Sequence, residues 1–325
     1  MEYTRLGSSG LRVSRIALGT MGFGDGSREK WALDYNTAAP LFLQALELGI
    51  TFWDTANIYG FGSSEQVVGR AIKELARRDD IVLATKVHQT MHAGPGGSGL
   101  SRKAIMEQID ASLIRLGTDY VDLYQIHRFD PETPVEETME ALHDVVKAGK
   151  ARYLGASSML AWQFAKMQHA AQAHGWTGFV SMQDQYSLIQ REEEREMFGL
   201  LADQRVGSLP WSPLAGGMLG RPWGDRSTTR SKDNVEVDFN GNRLWLDSDK
   251  GTVDAVQRIS ESRGVSMGQV ALAWVLRHPV VDSPVVGATK EHHLADAAAA
   301  VDLNLTDEES ATLERDYVRR ESTWF

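Results

Sequence analysis

The chain has 325 residues, 42% of them apolar, with nine tryptophans and a formal net charge of −10. That suffices for one large barrel or two medium domains and excludes a disordered chain, and without a basic block a nucleic-acid or anionic-membrane surface is not expected. The lack of cysteine excludes disulfides, thiolate metal sites and cysteine nucleophiles, without fixing a compartment.

The first residues, "MEYTRLGSSGLRVSRIALGT", lack the basic start and long apolar core of a signal peptide. No run approaches the ~20 apolar residues of a membrane span, so a soluble cytoplasmic protein is expected. "YTRLG" and "LRVS" then read as a hairpin across the turn "SSG". After it, strands are expected at 16–19, 51–54, 81–86, 121–127, 152–157, 179–183, 206–211 and 283–287. Helices are expected near 37–48, 64–76, 101–116, 134–148, 160–173 and 191–203, with two more at 249–263 and 266–277 and another near 306–316. Thr133, before Pro134 and with Glu136 and Glu137 in the first turn, is expected to cap one helix, and Ser266 another. Eight strands alternating with helices predict an α/β chain of one domain: a (β/α)8 TIM barrel with an N-terminal hairpin and extra C-terminal helices. The segment 212–248 exceeds the roughly 15 residues of an ordinary connection and reads as a lid.

The strand ends carry the chemistry. The second strand ends in Asp54, the third in Lys86 and the fourth in His127; the next three end at Ser157-Ser158, Gln183 and Trp211-Ser212. In a parallel barrel these ends open on one face, where active sites form. Singly, each has a plain reading: Asp54 as a turn former, Tyr59 as a half-buried aromatic, Lys86 as a solvated charge, His127 as a structural histidine. Together they point to a shared site. Reducing a carbonyl needs hydride on carbon and a proton on the developing alkoxide. A tyrosine, with an ordinary pKa of ~10, is a reluctant donor near neutrality, and a buried ammonium beside it stabilises the phenolate left behind. Tyr59 is then the acid, Lys86 its partner, Asp54 the anchor of Lys86, and His127 the group that orients the carbonyl oxygen.

These stretches resemble the aldo-keto reductases: "FWDTANIYG" with "SEQVVGRAI", "LATKV", "DLYQIHR", "YLGASSM", "SMQDQYSLIQRE", "PWSPLAGGML" and "VVGATKEHHLADA". The likeness runs from residue 1 to about 315, and its pattern falls on Asp54, Tyr59, Lys86 and His127. It implies a nicotinamide cofactor extended across the barrel mouth. By this resemblance Ser157, Ser158 and Gln183 would bond the carboxamide, and Trp211 would stack on the ring. Ser212, Pro213, Leu214, Ala215, Gly216, Gly217 and Arg221 would face the pyrophosphate. Gly287, Thr289, Lys290, His293 and Asp296 would hold the adenosine end at a helix start, and Thr20 and Met21 would join Asp54 in the cofactor set. Many relatives have asparagine where this chain has Ser158, and "QN" where it has Gln183-Asp184. A common arginine for the 2′-phosphate corresponds to His293, and a nearby asparagine to Ala297. Lys290 remains a phosphate partner, so NADPH is expected, with NADH as the alternative.

"GPGGSG" (94–99) matches G-x-G-x-x-G, but it begins eight residues past Lys86 and has proline second; it reads as a flexible substrate-side loop. No metal is expected. The substrate is a small-molecule carbonyl, with Phe23, Trp31, Met91, His92, Arg128, Phe129 and Trp223 as candidate walls beside Tyr59 and His127; apolar aldehydes or ketones suit them. Two other readings stay open: a lyase or isomerase forming a Schiff base on Lys86, and a non-catalytic, cofactor-bound redox sensor such as some family members provide to ion channels. Monomer and homo-oligomer are both compatible with the sequence.

Overall fold

The structure, a computed structural model, describes residues 1–26, 31–225, 227 and 246–320. Among these, β1 (Tyr3–Arg5) and β2 (Arg12–Ser14) pair antiparallel as the expected hairpin. Eight parallel strands follow: β3 (Ala17–Gly19), β4 (Phe52–Asp54), β5 (Val82–Val87), β6 (Val121–Ile126), β7 (Ala151–Ser157), β8 (Phe179–Gln183), β9 (Gly207–Ser208) and β10 (Val285–Gly287). Their order is β10-β3-β4-β5-β6-β7-β8-β9. The ring closes between its ends: the Val285 amide donates to the Pro210 carbonyl at 2.8 Å, and bridges join Ser208 to Val281 and Trp211 to Val285. This is the expected (β/α)8 barrel.

Helices α1 (Tyr35–Glu47), α2 (Ser63–Leu75), α3 (Arg102–Leu116), α4 (Val135–Lys147), α5 (Ala161–His174) and α6 (Met197–Gln204) return the chain between strands β3 to β9. α7 (Lys250–Arg263) and α8 (Met267–Leu276) precede β10; α9 (Glu291–Ala300) and α10 (Asp307–Glu314) follow it. Ser266 caps α8 in a reciprocal box, its hydroxyl accepting from the Gln269 amide at 3.1 Å and its amide donating to Gln269 Oε1 at 2.9 Å.

Alternation along the strands decides what fills the barrel. Ala17, Phe52, Ala84, Leu123, Leu209 and Val285 form an apolar cluster inside it, joined by Leu6 and Val13 of the hairpin. The hairpin therefore plugs the bottom. Two residues further along, the same parity turns Asp54, Lys86 and Gln125 inward, and all three are buried. The apolar floor thus carries a polar layer toward the C-terminal mouth. Gly155 on β7 is required at this level, because a Cβ there would stand 2.6 Å from Ser181 Oγ and 3.0 Å from Gln125 Cγ.

Three expectations change. Thr133 does not cap α4: Pro134 holds the cap position without a side-chain bond, and the Thr133 hydroxyl donates to Asp130 Oδ2 at 2.8 Å. The strand expected at 206–211 shrinks to β9, since Pro210 has no amide to offer a ladder and the remaining pairings are single bridges. The helix expected at 191–203 divides into a 3-10 turn, Glu192–Glu194, and α6. Glu192 accepts from Tyr317 OH at 2.7 Å and from the Arg320 amide at 3.0 Å, so this turn ties the C-terminal segment to the barrel. Most of the lid expected at 212–248 lies outside the described residues.

Candidate active site

β4 and β5 are adjacent and in register, with Asp54 opposite Ala84. The Lys86 ammonium, fully buried, donates to Asp54 Oδ2 at 2.5 Å, to the Thr55 carbonyl at 3.0 Å and to the Tyr59 hydroxyl at 3.3 Å. Burial would push this ammonium down, but Asp54 and Tyr59 outweigh it and hold it above the ordinary lysine range. Lys86 is therefore charged. Asp54 Oδ1 accepts two further bonds at 2.9 Å each, from Gln125 Nε2 and Gln183 Nε2. Both carboxylate oxygens are thus bonded, which a charge at this depth requires.

Tyr59 comes from the loop after β4, half-buried and edge-on to His127 with ring centroids 5.8 Å apart. The turn that delivers it is tight: Gly60, Phe61 and Gly62 all have positive φ, of 54°, 51° and 95°. Phe61 in that region is uncommon backbone for a bulky side chain. Burial drives the His127 imidazole well below the ordinary histidine range, and Lys86, Arg128 and His88 add to the effect. His127 is neutral, with Nδ1 buried and unpartnered among the described residues. His88, at the end of β5, is also lowered, by burial first and then by Arg128.

Of the residues expected to face a cofactor, Ser157, Ser158, Gln183 and Trp211 meet at the same mouth. Ser157 Oγ donates to the Gln183 carbonyl at 2.7 Å and lies 3.3 Å from Ser158 Oγ, while the Trp211 indole N–H donates to Ser158 Oγ at 3.1 Å. Ser212, Ala215, Gly216 and Gly217 have positive φ (51°, 49°, 66° and 92°), in a tight loop where the Ala215 amide donates to the Ser212 carbonyl and the Gly217 amide to the Leu214 carbonyl, both at 2.8 Å. The Arg221 guanidinium lies against Gly217, where a Cβ would come within 2.9 Å of it. Arg221, Lys290 and His292 all bear electrostatically on His293, with Asp296 opposing them. Arg221 and Lys290 thus act on the start of α9, where the first-turn amides favour an anion. Thr289 donates its amide to His293 Nδ1 at 3.3 Å.

A sequence model of the aldo/keto reductase family matches residues 15–317. The chain belongs to the aldo/keto reductase family. It is 44% identical to versiconal hemiacetal acetate reductase of Aspergillus parasiticus, over 98% of this chain and 97% of that protein. A putative aryl-alcohol dehydrogenase of Saccharomyces cerevisiae is 36% identical, over 98% of this chain and 97% of its own length. An uncharacterized oxidoreductase of Bacillus subtilis is 38% identical, over 95% and 93%. This aldo/keto reductase is accordingly an oxidoreductase, and the names of its relatives agree with chemistry at a carbonyl or alcohol carbon.

Not every residue expected at its mouth is there. Phe23 is 1% exposed and packs on Phe42 at 5.1 Å between centroids; it belongs to the core and not to a substrate wall. Thr20 is buried with its hydroxyl on the Asp54 carbonyl at 3.0 Å and beside Ser64 Oγ at 3.1 Å, so its side chain braces the β4 end, and Met21 is the residue of that turn that meets solvent. Gln183 gives its amide nitrogen to Asp54. Trp31, Met91, Arg128, Phe129 and Trp223 are half-buried, and His92 is exposed with Nδ1 3.0 Å from the neighbouring Ala93 carbonyl. The loop 94–99 contains no strand-to-helix phosphate turn; the Gly97 carbonyl accepts from Met91 and the Gly99 amide donates to the His88 carbonyl.

Four residues were not singled out from the sequence. Gln125 lies two positions before His127 on β6, so period-2 alternation could have found it. His88 carries a signal in its place just after a strand end. Trp162, 57% exposed, meets Phe129 edge-on at 6.1 Å, and Phe61 is 56% exposed. Nothing local in the sequence separates those two aromatics from core residues. No helix among the described residues is long and apolar enough to cross a membrane.

Proposed function

We propose that the chain reduces aldehyde or ketone carbonyls to alcohols, reversibly and with NADPH, and that Tyr59 supplies the proton. The observation that carries this is the contact line from Asp54 through the buried Lys86 ammonium to the Tyr59 hydroxyl, at 2.5 and 3.3 Å. When bound, the nicotinamide supplies the hydride to the carbonyl carbon. Tyr59 donates its hydroxyl proton to the oxygen that becomes the alcohol. The Lys86 ammonium stabilises the phenolate that remains, Asp54 keeps that ammonium charged and in place, and the neutral imidazole of His127 directs the carbonyl oxygen toward Tyr59. In the oxidative direction the same phenolate takes the proton back.

The residues present suit such a cofactor. Ser157, Ser158 and Trp211 adjoin the tetrad and would hold the nicotinamide end; the loop at 212–217 with Arg221 would take the pyrophosphate. Lys290 at the start of α9, with Arg221 acting on the same turn, favours a 2′-phosphate, hence NADPH over NADH. Phe129 and Trp162 at the rim, and the aryl alcohol in the name of one relative, favour ring-bearing carbonyl substrates. Schiff-base chemistry on Lys86 needs the free amine, and the Asp54 contact disfavours it; borohydride trapping of an adduct on Lys86 would reverse that judgement.

The test is steady-state oxidation of NADPH and of NADH over a panel of aromatic and aliphatic aldehydes and ketones. Tyr59→Phe should lower kcat by about 10²- to 10⁴-fold, the usual worth of a positioned acid, and leave dinucleotide binding intact. Full activity in that variant would sink the mechanism.

A further inference from the structure

Asp184, next after Gln183, is 1% exposed, and Glu193 in the turn Glu192–Glu194 is 6% exposed. Asp184 Oδ1 accepts the Ser158 amide at 2.9 Å, while Oδ2 is buried without a partner among the described residues. Asp184 also accepts the Trp211 amide on its main-chain carbonyl at 2.8 Å. One residue thus holds both Ser158, whose φ of 46° is rare for serine, and Trp211. The charged groups that bear on Asp184 are the Arg128 guanidinium, which follows β6, and Glu193, with Glu192 behind it. None of these three groups belongs to the Asp54–Tyr59–Lys86–His127 set. A buried carboxylate with an orphan oxygen is costly when ionised, and a second buried acid whose charge acts on it adds to that cost.

We propose that the Asp184–Glu193 acid pair positions the nicotinamide end of the cofactor through Ser158 and Trp211, and that its charge discriminates oxidised from reduced dinucleotide. The inference rests on the reading given under Proposed function. The oxidised nicotinamide ring carries a positive charge and the reduced ring none, so a carboxylate beneath Ser158 and Trp211 favours the oxidised form and a neutral acid removes that preference. Burial pushes the Asp184 carboxyl up to about 7 against the Ser158 bond and Arg128, and burial with Asp184 raises Glu193 well above the glutamate range. The change of charge therefore falls near neutral pH.

The experiment measures dissociation constants for NADP+ and NADPH by quenching of tryptophan fluorescence at several pH values from 5.5 to 8.5, with NAD+ and NADH as a second pair. Taking the ratio of reduced to oxidised constants cancels the ionisation of the 2′-phosphate, which titrates near pH ~6 in both forms. In the native chain this ratio should rise by about tenfold across the range, the size expected of one partly screened buried charge. Asp184→Asn keeps an acceptor for the Ser158 amide without the charge, and its ratio should be flat. Glu193→Gln removes the repelling neighbour, which lowers the Asp184 value, so the rise should move to lower pH. A pH-independent ratio in the native chain, or an unchanged rise in Asp184→Asn, overturns the pair's role while leaving the proposed reductase intact. Failure of the native chain to bind either dinucleotide pair overturns the proposed function and the acid pair with it.

Discussion

Asp54 and Lys86 are an ion pair with almost no access to water, at 1% and 0% exposure. Such pairs add little over an apolar replacement, yet breaking one strands a charge in the interior. Asp54→Ala should destabilise the chain by about 3–5 kcal/mol in denaturant unfolding, and a loss below ~1 kcal/mol would show that water reaches Lys86. Asp184 makes a separate, pH-dependent contribution. Its folded value of about 7 lies above the unfolded value of about 3.9, so the folded chain binds this proton more tightly. Stability from this group is fully present below about pH 4 and is lost as pH rises to about 7. Asp184→Asn should therefore reduce the fall in unfolding free energy between pH 5 and pH 8 by about 3 kcal/mol, and equal falls in mutant and native chain would refute the assignment.

At the scale of elements, most strands were legible because they are short apolar runs, although the one expected at 206–211 shrank to β9, and the helices because of their periodicity. Ser266 illustrates what local code carries: its box with Gln269 involves only neighbours in sequence, and Ser266→Ala should cost about 1 kcal/mol. Thr133 illustrates where local code fails. The residue has the right type and place for a cap, but Asp130 competes for its hydroxyl, and sequence spacing does not rank two local bonds of similar strength. Gly155 belongs to neither case. Its missing side chain makes room for Gln125 on the adjacent strand β6, so Gly155→Ala should displace Gln125 from Asp54, with a loss of about 1–3 kcal/mol that thermal unfolding would detect. A melting temperature equal to that of the native chain would mean that the interior yields there without strain.

The whole molecule separates stability at one end of the barrel from chemistry at the other. Leu6 and Val13 seal the bottom, while Asp54, Tyr59, Lys86 and His127 gather at the mouth. Leu6→Ala should cost about 2–5 kcal/mol and leave the dinucleotide dissociation constant unchanged; a change in that constant would show that the plug is coupled to the site. The sequence by itself determined the barrel and placed Asp54, Lys86 and His127 at or beside the ends of its strands, because alternation and apolar runs are properties of neighbours along the chain. Tertiary structure alone decided that Gln125 and Gln183 share Asp54, that Phe23 is core, that Trp162 joins Phe129 at the rim, and that Asp184 and Glu193 press on each other. Those facts depend on strand register and on which loops cross above the mouth. Distances between residues far apart in the chain, and the dielectric around them, exist only once the ring has closed.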